Sequence, residues 1–180
     1  MDYFELHVAG LTRQLPICQV NDEISFAAFV MFGDVDLTVK VAEELLKKCP
    51  EFDIIVTAEA KGIPLAYEMA RQSGKTYIPA RKAPKLYMHD PIAIEVKSIS
   101  TAVKQTLWLD QADVDKIRGA RILIADDVIS TGGSLVALED LVNKAGGNIV
   151  GKAFVLAEGD ATKRDDIIFL GELPIIQNEK

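Results

Sequence analysis

"RILIADDVISTGGS", Arg121 to Ser134, is the stretch that decides the fold. Four apolar residues, Ile122 to Ala125, run into two adjacent aspartates, Asp126 and Asp127, then through Val128 and Ile129 into Ser130, Thr131, Gly132, Gly133 and Ser134. A short, unbroken apolar run bounded by turn residues reads as a buried strand. After it, Leu135, Leu138, Leu141, Val142 and Ala145 fall on one face of a helix, opposite Glu139, Asp140, Asn143 and Lys144. Gly146-Gly147 stops that helix. Strand, tight polar loop and helix form the repeating unit of parallel α/β sheets. Two neighbouring carboxylates repel each other, so a partner outside the fold is expected to compensate them.

Working outward, the same alternation recurs. "DIIVTA" (53–58) and "KTYIPA" (75–80) read as buried strands, with the helix "GIPLAYEMARQSG" between them closing at Gly74. "NIVGKAFVLA" and "DIIFLG" read as two further strands. Asp36 is the expected N-cap of a helix through "LTVKVAEELLKK" that ends before Pro50. Residues 1–34 read as short strands and turns around Asn21-Asp22, and "IAIEVKSI" with "QTLWLD" as a hairpin outside the core. The fold class is therefore α/β, a central mostly parallel sheet flanked by helices. In such sheets ligands bind beyond the carboxyl ends of the strands. That singles out two segments, Thr57–Gly62 and Ala125–Ser134.

The 180 residues suit one domain, 1–180, and no repeat or low-complexity tract divides them. No run of about 18 apolar residues occurs and the first residues do not read as a signal peptide, so a cytoplasmic protein without membrane contact is expected. Cys18 and Cys49 share no ligand spacing and are expected to be reduced. A net charge of −7 argues against nucleic acid as the partner. The charge is uneven: from Arg81 to Lys104, five bases stand against Asp90 and Glu95, a local +3 on a remainder of −10. A basic island on an acidic chain suits a small anionic ligand, although a solvated loop would look similar.

The loop itself carries chemistry. A helix start leaves about four N–H groups unpaired and bears partial positive charge. Gly132 and Gly133 let the backbone curl, and the hydroxyls of Ser130, Thr131 and Ser134 add donors. The result is a phosphate cradle built without a lysine. Neither GxxxxGK[ST] nor GxGxxG is present. Asp126 and Asp127, one loop away, can accept hydrogen bonds from vicinal hydroxyls. Phosphate and diol together describe ribose 5-phosphate; the plainer alternative is that both acids cap the turn.

The string Asp-Asp, two apolar residues, Ser-Thr-Gly-Gly-Ser resembles the binding motif for 5-phosphoribosyl 1-pyrophosphate (PRPP) of the type I phosphoribosyltransferases. The resemblance implies that Asp126 and Asp127 hold the ribose hydroxyls, that residues 130–134 hold the 5-phosphate, and that PRPP enters as a Mg2+ complex. "TAEAKGIP" (57–64) resembles the pyrophosphate loop of the adenine and xanthine branches, with Glu59, Ala60, Lys61 and Gly62 on the pattern. "ARKAPKLY" (80–87) resembles the basic stretch that follows the next strand there, which gives Arg81, Lys82 and Lys85 a pyrophosphate role. Residues 86–105 would form a flexible flap, with Glu95 as candidate catalytic acid. Residues 36–157 would be the core, and 1–34 with 170–180 a small hood for base recognition, aided by Ile129 or Val128.

These resemblances imply a purine phosphoribosyltransferase, a glycosyltransferase of purine salvage that makes a nucleoside monophosphate and pyrophosphate. Hypoxanthine–guanine enzymes carry Asp where this chain has Ser130, so adenine is favoured, with xanthine or another 6-oxopurine as the alternative. A homodimer is expected by analogy. Two rivals are weaker. A PRPP-sensing regulator would be expected to carry a basic DNA-binding module, and only about 35 residues precede the core. A receiver-like signalling domain would carry its acid pair early, whereas here 53 residues follow Asp127.

Overall fold

The computed structural model describes residues 2–96 and 105–178. Its centre is a five-stranded, all-parallel sheet in the order β10-β9-β8-β4-β5. The strands are β4 (Ile54–Ala58), β5 (Thr76–Ala80), β8 (Arg121–Ile129), β9 (Asn148–Glu158) and β10 (Ile168–Leu173). All five residues of β4 are buried, because helices cover both faces of the sheet.

Alternation along β8 sorts the core into two layers. Leu123 and Ala125 pack with α1 (Val35–Lys48) and α2 (Gly62–Ser73), against Leu37, Val41, Leu45, Leu65 and Met69. Ile122 and Ile124 pack with α3 (Gln111–Ile117) and α4 (Gly133–Ala145), against Val114, Ile117, Leu138 and Leu141. Each such fully buried aliphatic side chain contributes about 1.5–3 kcal/mol relative to exposure.

Strand order positions the site. From β4 the chain adds β5 on one side, then returns to place β8 on the other, with β9 and β10 beyond it. The growth direction reverses between β4 and β8, which pair through Ile54–Ile122, Ile55–Leu123 and Val56–Ile124. The loops leaving these two strands diverge over that gap, the usual ligand crevice of an open parallel sheet. They are the two segments singled out in the sequence.

A second sheet, β1-β2-β3-β11, is antiparallel and built from both chain ends: β1 (Tyr3–Val8), β2 (Leu11–Gln19), β3 (Ile24–Ala27) and β11 (Ile175–Gln177). Arg13 of β2 ties it to α1 through Asp34, with Nε 2.6 Å and Nη2 3.0 Å from the carboxylate oxygens.

Three expectations are corrected. The N-cap of α1 is Asp34, whose Oδ1 accepts from the Leu37 N–H at 3.1 Å; Asp36 already sits in the first helical turn. The hairpin β6 (Ile92–Val96) with β7 (Gln105–Leu109) forms its own sheet but is not outside the core. Leu107 and Leu109 are buried, and two backbone hydrogen bonds, 2.8 and 2.9 Å, join Trp108 to Arg81 at the end of β5. Asp126 and Asp127 do not follow the strand; they lie inside it, because β8 keeps its pairing with β9 through Val128–Leu156 and Ile129–Ala157.

Candidate active site

Two adjoining cavities open over the carboxyl ends of β4 and β8. The larger, about 650 Å³ including its open mouth, is lined among others by Glu59, Lys61, Lys82, Asp126, Asp127 and Ser134. The smaller, about 340 Å³, is lined by the whole loop Ser130–Ser134 with Ile129 and Phe154. Asp126, Val128 and Ser134 line both. The acid pair and the polar loop thus share one crevice.

The loop after β8 is held open. Gly132 is the N-cap of α4 with φ +81°, a left-handed conformation that costs a residue with a Cβ roughly 1–2 kcal/mol. No side chain among the described residues caps this helix, and its first turn carries no acid. Its leading N–H groups and positive end therefore border the smaller cavity with no acid in the helix's own first turn to satisfy them. A Cβ on Gly132 would stand 3.1 Å from Arg164 Nη1.

Asp127 is almost fully buried, and its backbone N–H donates to Asp126 Oδ1 at 2.9 Å. Burial first, and then the charge of Asp127, push the Asp126 carboxyl well above the ordinary aspartate range; Lys82 across the cavity pulls the other way. An acid pair with so little solvent is stabilised by a ligand that brings hydrogen-bond donors.

The loop after β4 behaves differently. Glu59 Oε2 accepts from Arg81 Nε at 2.8 Å and Oε1 from the Lys82 backbone N–H at 2.5 Å. Burial pushes the Glu59 carboxyl up, but these donors and the Arg81 charge outweigh it and leave the group below its ordinary value. Arg81 is further occupied by the Tyr87 hydroxyl, 2.7 Å from Nη1. Gly62 opens α2 where any Cβ would run into the Thr57 hydroxyl and come within 2.6 Å of Asp126 Oδ1. Only glycine lets the two loops approach so closely. The Thr57 hydroxyl is fully buried and has no hydrogen-bond partner among the described residues.

The structure therefore gathers Asp126, Asp127, residues 130–134, Glu59, Ala60, Lys61 and Lys82 around the crevice, with Gly62 at its wall. Ile129 lines the smaller cavity but is 3% exposed and belongs to the core. Arg81 and Lys85 line neither cavity: Arg81 clamps Glu59, and the Lys85 backbone N–H contacts Met88 Sδ at 3.4 Å. Glu95 lies on β6, opposite Thr106, exposed and outside both linings. The centre of the expected flap, 97–104 with Lys97 and Lys104, lies outside the described residues. The sequence does not point to Arg164, which approaches the Gly132 turn from beyond β9. A guanidinium more than thirty positions away leaves no local signal.

The crevice at the strand-order reversal, walled by an acid pair and an uncapped glycine turn, lies within the span that matches the phosphoribosyl transferase domain family. That family matches the chain over residues 36–177, and the chain belongs to it. Among curated relatives, the adenine phosphoribosyltransferase of Bifidobacterium longum (strain DJO10A) is 36% identical over 125 residues, 67% of this chain and 60% of its own length. That of Chlorobium luteolum is 28% identical over 153 residues, 79% of this chain and 84% of its own length. The chain thus spans only about 60% of the Bifidobacterium relative. Among solved structures, the adenine phosphoribosyltransferase of Thermoanaerobacter pseudethanolicus matches with TM-score 0.64 and 26% identity, over 77% of this chain and 80% of that one. The Saccharomyces cerevisiae enzyme, at 23% identity and TM-score 0.68 over 86% and 92%, shares the fold.

Proposed function

We propose that the protein is a purine phosphoribosyltransferase that moves the 5-phosphoribosyl group from PRPP to adenine. The observation that carries this reading is the shared crevice: the acid pair of β8 and the uncapped start of α4 meet through Asp126, Val128 and Ser134. The relatives' names supply the base. In this reading the Ser130–Ser134 loop binds the 5-phosphate, and Asp126 and Asp127 accept from the ribose hydroxyls. Lys61, Lys82 and the Gly62 end of α2 face the pyrophosphate. Mg2+ arrives with PRPP and supplies positive charge on the leaving group.

The reaction displaces pyrophosphate from C1 by a purine ring nitrogen, through an oxocarbenium-like state of the kind seen in glycosyl transfer. The chain's contribution is positioning and charge compensation rather than a covalent step. Arg81 acts on the pyrophosphate loop through Glu59. Glu95 is the proposed acid of the flap. The antiparallel sheet of both chain ends forms the hood over the base, and a cytoplasmic setting follows from the substrates.

We infer a second copy of the chain as partner. An apolar hollow walled by Met31, Val35, Ile63, Pro64, Tyr67 and Tyr77 begins at the residue after Gly62, and Val35 and Tyr67 are exposed there. A symmetric partner on this face would brace the pyrophosphate loop.

The deciding experiment incubates the protein with PRPP, Mg2+ and, separately, adenine, hypoxanthine, guanine, xanthine, uracil and orotate. Pyrophosphate release with adenine is expected, from a species that sediments as a dimer. Release with xanthine or hypoxanthine instead would move the base assignment. PRPP binding with no release for any base would replace catalysis by sensing.

A further inference from the structure

We propose that Arg164 supplies the cation that the phosphate cradle lacks, with Nη1 as a direct ligand of the 5-phosphate held at residues 130–134. This inference rests on the phosphoribosyl reading of that loop. Between Ser130 and Ser134 there is no lysine or arginine, so backbone amides and hydroxyls alone would face a dianion. Arg164 does not line either cavity in the ligand-free protein, but it approaches the Gly132 turn from elsewhere in the chain. It follows the 3₁₀ turn Gly159–Lys163, and that turn leaves β9, the strand beside β8.

The geometry assigns each nitrogen. Nε donates to Asp166 Oδ1 at 2.8 Å and Nη2 to Asp166 Oδ2 at 2.7 Å. This fork fixes the plane of the guanidinium and leaves Nη1 as its remaining corner. That corner lies 3.1 Å from where a Cβ of Gly132 would stand, at the N-cap of α4. Asp166 is in turn held by Lys152 Nζ at 2.9 Å, and Lys152 pairs with Glu139 on α4 at 2.5 Å. The guanidinium is therefore braced against the same helix whose N-terminus forms the cradle. A donor oriented in advance loses little entropy when the phosphate arrives.

A single charge-assisted hydrogen bond at a partly exposed site is worth about tenfold in affinity. Calorimetric titration of the full chain with ribose 5-phosphate, and separately with inorganic pyrophosphate, tests this. Arg164→Ala should weaken ribose 5-phosphate about tenfold and leave pyrophosphate unchanged. In turnover, KM for PRPP should rise by a similar factor while kcat and KM for adenine hold. Arg164→Lys should recover part of the loss. Arg164→Gln, close in size, serves the same comparison if the alanine variant does not fold.

Wild-type affinity for ribose 5-phosphate in the alanine or glutamine variant would overturn the assignment. So would an equal loss of both ligands with a lower Tm, which is what a mere strut between the turn and Asp166 predicts. Failure of the unaltered protein to bind ribose 5-phosphate would instead remove the phosphoribosyl reading on which the assignment stands.

Discussion

The two loops that leave the sheet at its reversal point have opposite characters. After β4, the polar groups of Glu59 are taken up inside the protein by Arg81 and the Lys82 N–H. After β8, Asp126 and Asp127 stand side by side with no cation bonded to them among the described residues, and burial disfavours the charged form of Asp126; the α4 N-terminus, like that of α2, has no side-chain cap. The carboxylate of one loop is satisfied inside the fold; the acid pair of the other is left for a ligand, while both helix starts stay uncapped. The difference teaches where binding energy enters: a site keeps polar groups incompletely satisfied at the place where the ligand will satisfy them, and closes the rest so that the geometry holds.

Breaking the open loop should have the largest effect. Gly132→Val puts a β-branched side chain at φ +81° and toward Arg164 Nη1. The turn must rearrange, and several amides lose their aim together. Turnover per unit PRPP, kcat/KM, should fall about a hundredfold or more, the scale of losing one preorganised donor. Steady-state kinetics beside a thermal melt separates this from unfolding. A folded valine variant with wild-type PRPP kinetics would remove the cradle.

The second effect concerns the cost of holding the acid pair. The folded state raises the Asp126 carboxyl above its ordinary value of 3.8, through burial first and Asp127 second. Folded protein then binds more protons than the unfolded chain between that value and the raised one. Stability of the ligand-free protein should therefore decline as pH rises through this window. Asp126→Asn removes the titration and should flatten the decline. Melting curves from pH 5 to 8 compare the two proteins, and identical slopes would show that Asp126 is not the group held under strain.

How much of this was legible in the sequence depends on distance along the chain. The β8–α4 loop could be read because strand, acids, hydroxyls and glycines stand within fourteen residues. The parallel sheet could be read from its unbroken apolar strands. The exact end of β8 could not, because pairing with β9 carries it through Asp126 and Asp127. The cap at Asp34 was missed by two positions, since Asp36 is an equally good capping type and only backbone geometry separates them. Helix α3 is seven residues with little apolar period, too short to declare itself. The pairs Glu59–Arg81 and Gly132–Arg164 join residues 22 and 32 positions apart, brought together by strand order alone.

The smallest effect should come from the closed loop, and it is the sharpest test of the contrast. Glu59→Gln keeps the size of the side chain and removes its charge. One carbonyl oxygen now has to serve both the Lys82 N–H and Arg81, so Arg81 loses its anion and keeps the Tyr87 hydroxyl. Both partners are partly exposed, at 28% and 18%, so screening limits the loss to about 1 kcal/mol. The sign with pH is fixed. The folded state lowers the Glu59 carboxyl, so its contribution is present above the unfolded value of 4.5 and fades as pH falls through the folded one. The glutamine variant should converge with the parent as pH falls through the folded value of Glu59 and trail it slightly at pH 7, with kcat/KM for PRPP reduced less than tenfold. If instead stability is unchanged and turnover drops as far as in Gly132→Val, Glu59 belongs to the ligand rather than to the fold, and the two loops are alike after all.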